Sequence, residues 1–201
     1  MVDDLSGGYD EAAAGFAASR NPAIGVATVR AWAKLLPPRS SVLDLGCGTG
    51  IPISRALIEE GMSLSGIDAS PAMVSAFQAN FPGVPVACEP AESSTYFGRR
   101  FHGIVAWGLI FLLPPESQGA LIRRAAAALE PGGSFLFTAP EPACMWNDLL
   151  TGHASVSLGA PAYRKLLAGT GLTLVAEHRD EGDNHYYESR NGTSGEIGLP
   201  A

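Results

Sequence analysis

The sequence predicts an α/β fold: a doubly wound, mostly parallel sheet with an antiparallel hairpin at its end. Three observations carry this reading. Short apolar runs alternate with helical patterns from residue 41 to residue 169. The first run, Ser41-Val-Leu-Asp-Leu45, stops at the glycine cluster Gly46-Cys-Gly-Thr-Gly50, the mark of a buried strand entering a tight turn. The last two runs, Leu172–His178 and Asn184–Ser189, are separated only by the polar segment 179–183. No crossover helix fits there, so these two strands run antiparallel.

Taken in order, residues 9–36 carry an alanine-rich helical pattern broken at Asn21-Pro22, because proline disfavours helical geometry in the residue before it. Two helical pieces are expected, ended by Pro37-Pro38. After the strand at 41–45 comes a helix over 52–60, closed by Gly61, and a strand over 62–67. Ser70-Pro71 opens the next helix, which runs to Asn80 with Ser70 as N-cap and Pro71 at the first helical position. Val84–Cys88 and Gly103–Trp107 read as strands, Glu116–Leu129 as helix, and Ser134–Thr138 as strand after the Pro131-Gly132-Gly133 turn. Residues 161–169 read as helix, ending at Gly169 or Gly171. The expected organisation is an N-terminal helical lid over 1–38, one domain over 39–190, and a frayed tail over 191–201 that lacks periodicity.

The 201 residues are 46% hydrophobic and 16% charged, which excludes a disordered, solvating chain. Thirteen Lys plus Arg against twenty Asp plus Glu leave a net charge of −7. Such a chain lacks the basic footprint that phosphate neutralisation needs, so no nucleic-acid partner is expected. Arg99–Arg100 and Arg123–Arg124 read as solvated faces. Cys47, Cys88 and Cys144 form neither a disulfide framework nor a metal-type pair. The N-terminus is acidic where a signal peptide needs positive charge, and the longest uncharged apolar stretch, Gly103–Leu113, falls far short of the ~20 residues of a spanning helix. A soluble, cytoplasmic protein with no membrane partner is the expectation.

The glycine loop is the most informative segment. A strand, Gly46-x-Gly48-x-Gly50 and then a helix bring backbone close to a ligand at the carboxyl end of a sheet. The dinucleotide fingerprint would need glycine at 51, where the chain has Ile51. Asp44 precedes the loop, and a carboxylate there repels a pyrophosphate but favours a cationic group. Asp68 ends the second strand in Gly66-Ile-Asp-Ala-Ser70, where an acid can accept hydrogen bonds from ribose hydroxyls. The site therefore calls for an adenosine-like ribose and a positive tail without phosphates.

VLDLGCGTG, GIDASPAM and LEPGG together resemble the class I S-adenosylmethionine-dependent methyltransferases, over roughly residues 41–139. The resemblance implies a Rossmann-like seven-stranded sheet with a reversed final strand. It implies S-adenosylmethionine as cofactor, S-adenosylhomocysteine as its product, and a methyl acceptor that the sequence does not name. By that resemblance Asp44, Gly46, Cys47 and Gly48 wall the methionine part, with Gly50 in the same loop. Asp68 takes the ribose, and Ala69 and Met73 pack beside the adenine. The family's acidic-Ala-Glu stretch reads Cys88-Glu-Pro-Ala-Glu92 here, which makes Glu89 the candidate for the adenine amino group and Glu92 the rival one turn on, with Ala91 beside them. The usual Phe-Asp before the fourth strand is Phe101-His102. Tyr9-Asp10 resembles the amino-terminal Tyr-Asp of small-molecule methyltransferases and puts Tyr9 near the cofactor. The Asn/Asp-Pro-Pro-aromatic motif of many amino-methylating members is absent from Ala106-Trp-Gly-Leu-Ile110, which leaves small-molecule acceptors in front.

Methyl transfer is an in-line displacement, so the protein has to align the nucleophile and exclude water. A base is needed only for a weakly acidic acceptor. Trp107 either faces the sulfonium, where an aromatic face stabilises a cation, or packs in the core. Alternation puts His185 and Tyr187 on one strand face and Tyr186 on the other, so His185 is either a base at the site's mouth or a histidine packed at a sheet end. His153, within a lid or substrate loop over 145–158 that also holds Trp146, is a further candidate base. Arg20 either reaches a carboxylate or is solvated, and Asp180, Glu181 and Asp183 read as solvated turn acids rather than metal ligands, so no metal is assigned. A non-catalytic cofactor-binding partner or regulatory subunit is the alternative function, and Ile51 opposes a nicotinamide-dependent reductase. Oligomeric state stays open.

Overall fold

The computed structural model describes residues 4–19 and 21–192. Two helices, α1 (Tyr9–Ser19) and α2 (Val26–Ala33), precede β1 (Ser41–Leu45), α3 (Ile53–Glu59), β2 (Ser63–Asp68), α4 (Pro71–Asn80), β3 (Val86–Cys88) and β4 (Phe101–Ala106). The chain continues through α5 (Pro115–Ala128), β5 (Leu129–Thr138), β6 (Cys144–Asn147), β7 (Ala154–Ser157), α6 (Ala160–Gly169), β8 (Leu172–Arg179) and β9 (His185–Asn191). Each expected helix and strand is present within a few residues. β5 starts earlier than expected because Leu129 already pairs with Phe101, before the register shifts to Gly103 opposite Ser134. Ser70 caps α4 as expected, its hydroxyl accepting from the Met73 N–H at 3.1 Å. The tail expected from 191 lies outside the described residues except for Asn191, which still pairs with Leu172, and Gly192.

The seven-stranded sheet runs in the order β3-β2-β1-β4-β5-β9-β8. β1 to β5 are parallel, and β9 lies antiparallel between β5 and β8. Strand order reverses at β1, which pairs with both β2 and β4. In such sheets the crevice beyond the carboxyl ends at the reversal point is where ligands sit. β6 and β7 form a separate hairpin in the stretch expected to be a lid.

Period-two alternation distributes the core. Leu43, Ile104, Phe135, Phe137 and Tyr187 pack toward α5 and α6, whereas Val42, Val105, Leu136 and Tyr186 face α2, α3 and α4. Each fully buried Leu, Val or Phe contributes about 1.5–3 kcal/mol. The N-terminal segment divides in two: α2 buries Val29, Trp32 and Ala33 against the sheet, and the Trp32 indole N–H donates to Ser134 Oγ at 2.8 Å. Among the described residues no helix is long and apolar enough to cross a membrane.

Candidate active site

The turn after β1 is fixed by its neighbour. The N–H groups of Gly46 and Cys47 both donate to the Ile67 carbonyl of β2, at 2.8 and 3.0 Å. Gly48 sits at φ +54°, a conformation L side chains rarely adopt, and its N–H donates to Asp68 Oδ2 at 2.8 Å. The other Asp68 oxygen accepts from the Ser70 N–H at 2.9 Å. One carboxylate thus ties the glycine loop to the start of α4. Gly50 has a different reason: a Cβ there would run into Phe81 and sit 2.9 Å from Phe77, so the third glycine admits α4 rather than a ligand.

Burial pushes the Asp68 carboxyl above its ordinary value, although the Ser70 and Gly48 N–H groups pull the other way. A ribose hydroxyl donates more strongly to the ionised carboxylate than to the protonated acid, which also turns an O–H donor into the site. Affinity for an adenosine-type ligand is therefore expected to be full at neutral pH and to fall as pH drops through this raised pKa, above the ~3.9 of a free Asp. Calorimetric titration across that range measures it, and an affinity flat down to pH ~4 would remove Asp68 from the contact.

Between the carboxyl ends of β1, β2 and β4 lies a cleft of about 270 Å³. Its floor is Gly46, Gly48, Asp68, Ala69 and Met73; Ala91 and Glu92 form one wall, and Trp107, Leu109, Leu112 and Leu113 the other. Asp4, Leu5, Tyr9 and Phe16 roof it from the N-terminal side, and Asp148, Thr151, His153 and Ser155 from the hairpin. Two contacts close the roof. Asp10 Oδ1 accepts from Ser70 Oγ at 2.7 Å and from the Ala72 N–H at 2.8 Å, which docks α1 on the amino end of α4. Tyr9 donates its hydroxyl to Asp148 Oδ2 at 3.1 Å, joining α1 to the hairpin. The hairpin's root is held by buried Gln118, which donates to the carbonyls of Leu113 and Val156, both at 2.9 Å, and accepts from Tyr163 at 2.7 Å.

A small recess beside the cleft is lined by Asp44, Cys47, Phe16 and Trp107. Asp44 is 2% exposed and accepts from Ser54 Oγ at 2.6 Å. Burial, with Asp44 and Asp68 nearby, pushes the Cys47 thiol well up, so it stays protonated. Trp107 lines both cavities and donates its indole N–H to the Tyr186 hydroxyl, which in turn donates to Asp180 Oδ2 at 2.7 Å. Burial and the Asp180 carboxylate hold the Tyr186 phenol far above its ordinary value, so it remains a donor.

Several expectations change. His185 is not at the mouth of the cleft: it is 7% exposed, its Nε2 lies 2.7 Å from Glu177 Oε2, and its ring packs edge-on against Tyr187. The alternation is as expected, but it is Tyr186, on the other face, that bonds a lining residue, through its contact with Trp107. Asp180 and Glu181 are not merely solvated: besides holding Tyr186, the turn supplies Glu181 Oε1 to the Gly25 N–H at 3.1 Å. Glu89 accepts from Ser94 Oγ at 3.0 Å and does not line the cleft, whereas Glu92 does. Arg20 lies outside the described residues. The Trp107–Tyr186 bond, Gln118 and the docking role of Asp10 were not anticipated, since each depends on a contact distant in sequence; nor was Ser155, whose hydroxyl is unmatched among the described residues.

A family model described as methyltransferase domain matches residues 16–180, a span that takes in the glycine loop, Asp68, Glu92, Trp107 and the hairpin. The chain belongs to this family. A carboxy-S-adenosyl-L-methionine synthase of Geobacter sp. (strain M21) is 28% identical over 114 residues, covering 53% of this methyltransferase-domain chain and 47% of that relative, so the match spans about half the relative's length. Among solved structures, the 1,6-didemethyltoxoflavin-N1-methyltransferase of Burkholderia thailandensis, with bound 1,6-didemethyltoxoflavin and S-adenosylhomocysteine, aligns with a TM-score of 0.71 at 18% identity, over 92% of this chain and 84% of that one. The magnesium protoporphyrin IX methyltransferase of Synechocystis PCC 6803, with bound S-adenosylmethionine, aligns at 0.67 and 19% identity over 83% and 78%. At such identities the likeness is one of fold, and the methyltransferase domain here has that fold.

Proposed function

We propose that this methyltransferase domain binds S-adenosylmethionine in the cleft and transfers its methyl group to a small-molecule acceptor. The observation that carries the reading is the Asp68 carboxylate, held between the Gly48 and Ser70 N–H groups at the end of β2, with lone pairs left for two vicinal hydroxyls. The site fits the cofactor in charge as well. Asp44 stands where a positive ammonium or sulfonium is favoured, and no Lys or Arg among the described lining residues marks a phosphate subsite. The two structural relatives that carry the cofactor or its product support the reading by fold.

S-adenosylmethionine supplies a methyl carbon on a sulfonium, which leaves as a neutral thioether. Asp68 takes the ribose, Glu92 the adenine edge beside Ala69, Ala91 and Met73, and Gly46, Gly48, Asp44 and Cys47 enclose the methionine part. Trp107, steadied by Tyr186, offers its ring to the sulfonium side. Tyr9 and the hairpin exclude water, and His153 is the imidazole in the wall able to accept a proton. Saturable one-to-one binding of S-adenosylhomocysteine by calorimetry is the expected result, and no binding of either cofactor form overturns the proposal. Glu92→Ala is expected to weaken that binding about tenfold, and Glu89→Ala by less than about twofold. The reverse order would move the adenine contact to Glu89.

A further inference from the structure

We infer that the acceptor is a small amine, held beneath the roof in its ammonium form with Ser155 as its hydrogen-bonding partner; the inference rests on the methyltransferase reading and names its substrate class. Ser155 lines the cleft from β7, is 1% exposed, and its hydroxyl has no hydrogen-bond partner among the described residues. A buried hydroxyl left unmatched costs stability unless something else satisfies it. Its neighbour two residues on, Ser157, shows the ordinary solution, donating to the Pro140 carbonyl at 2.7 Å. The Ser155 oxygen, able to accept from an N–H, is the open position of the roof.

Charge fixes the class of ligand. The cleft wall contains four carboxylates, Asp4, Asp68, Glu92 and Asp148, and no Lys or Arg among the described lining residues. Asp68 and Glu92 lie on the cofactor side, which leaves Asp4 and Asp148 to face the acceptor. Both stay ionised. The Ser6 hydroxyl and the N–H groups of Ser6 and Gly8 hold Asp4 below its ordinary value; around Asp148, burial is outweighed by the N–H groups of Thr151 and Leu150 and by the Thr151 and Tyr9 hydroxyls. An anionic acceptor would meet two fixed negative charges in the cleft lining, and a cation is drawn in. The opposing wall of Leu109, Leu112 and Leu113 suits a short apolar body. Before reaction the ammonium must give up one proton to solvent, which frees the nitrogen lone pair for attack on the methyl carbon.

The test uses the S-adenosylhomocysteine-saturated protein and three probes of one shape, benzylamine, benzyl alcohol and benzoate, titrated by ligand-observed NMR. Benzylamine is expected to bind at least tenfold tighter than the alcohol, with benzoate weakest. Ser155→Ala should lower benzylamine affinity severalfold while leaving S-adenosylhomocysteine affinity and the unfolding midpoint at or above wild type, because it removes an unsatisfied buried group. Asp148→Asn, which keeps an oxygen for the turn's N–H groups, should shrink the amine-to-alcohol ratio. Equal affinities, a preference for benzoate, or no benzylamine binding to the loaded protein overturns the inference. Failure to load S-adenosylhomocysteine overturns the methyltransferase reading instead.

Discussion

Asp68→Ala is expected to weaken S-adenosylhomocysteine binding by roughly 1.5–3 kcal/mol, about 10–150-fold, the range for hydrogen bonds to a charged group. Two losses combine. The ribose loses its acceptors, and the Gly48 and Ser70 N–H groups lose the carboxylate that positions the glycine loop against α4. Asp68→Asn separates them. The amide oxygen can still accept one backbone N–H, but its NH₂ turns a donor toward the other partner, so binding should fall by an intermediate amount. Because burial raises the Asp68 pKa, its ionised form disfavours the unliganded fold at neutral pH, and that penalty disappears as pH falls through the raised value. The alanine variant should therefore unfold at a midpoint close to wild type in the absence of ligand while losing the ligand-induced rise. Calorimetry and thermal melts with and without S-adenosylhomocysteine read both quantities, and wild-type affinity in the variant would take Asp68 out of the cofactor site.

What could be read from the sequence was what is local. Ser70-Pro71 fixes the start of α4 through a side-chain cap three residues along the chain, and the strand before Gly46 shows itself by an apolar run that ends in glycine. Asp44 and Asp68 stood out because one precedes the glycine loop and the other ends the next strand, and both also hold structure there, Asp68 by tying Gly48 to Ser70 and Asp44 by accepting from Ser54. The face of β9 was legible too, since alternation alone separates Tyr186 from His185. Which face bonds a lining residue was not, because it depends on where β9 inserts and on Trp107 rising from β4 to meet Tyr186. The hairpin hid for the same reason. β6 is mostly exposed and lacks strand periodicity, and its partner β7 is anchored by Gln118, thirty-eight residues from the Val156 carbonyl it holds. Glu89 and Glu92 are not separable by sequence, because Glu89 is engaged by Ser94 and Glu92 lines the cleft only once the loop is folded.

Trp32→Ala is expected to cost about 3–5 kcal/mol of folding stability, a large share of the ~5–15 kcal/mol available to a domain. Trp32 is 2% exposed and sits on α2 in the cluster of Leu36, Val105, Leu136 and Tyr186, so truncation opens a cavity under the centre of the sheet. The indole bond to Ser134 is a minor part of the cost, since the Ser134 hydroxyl still donates to the Ser189 carbonyl at 3.2 Å. Trp32→Phe should therefore lose only about 1–2 kcal/mol. The measurement decides what the N-terminal segment is. If 1–38 were a detachable lid, both variants would unfold at the wild-type urea midpoint and differ only in ligand affinity. If α2 is part of the core, the midpoint falls in proportion to volume removed, and the loss reaches the site through Tyr186, whose hydroxyl accepts from Trp107. The packing requires the second outcome: α2 belongs to the scaffold, and α1 is the part of the segment that roofs the cleft, docked through Asp10 and Tyr9.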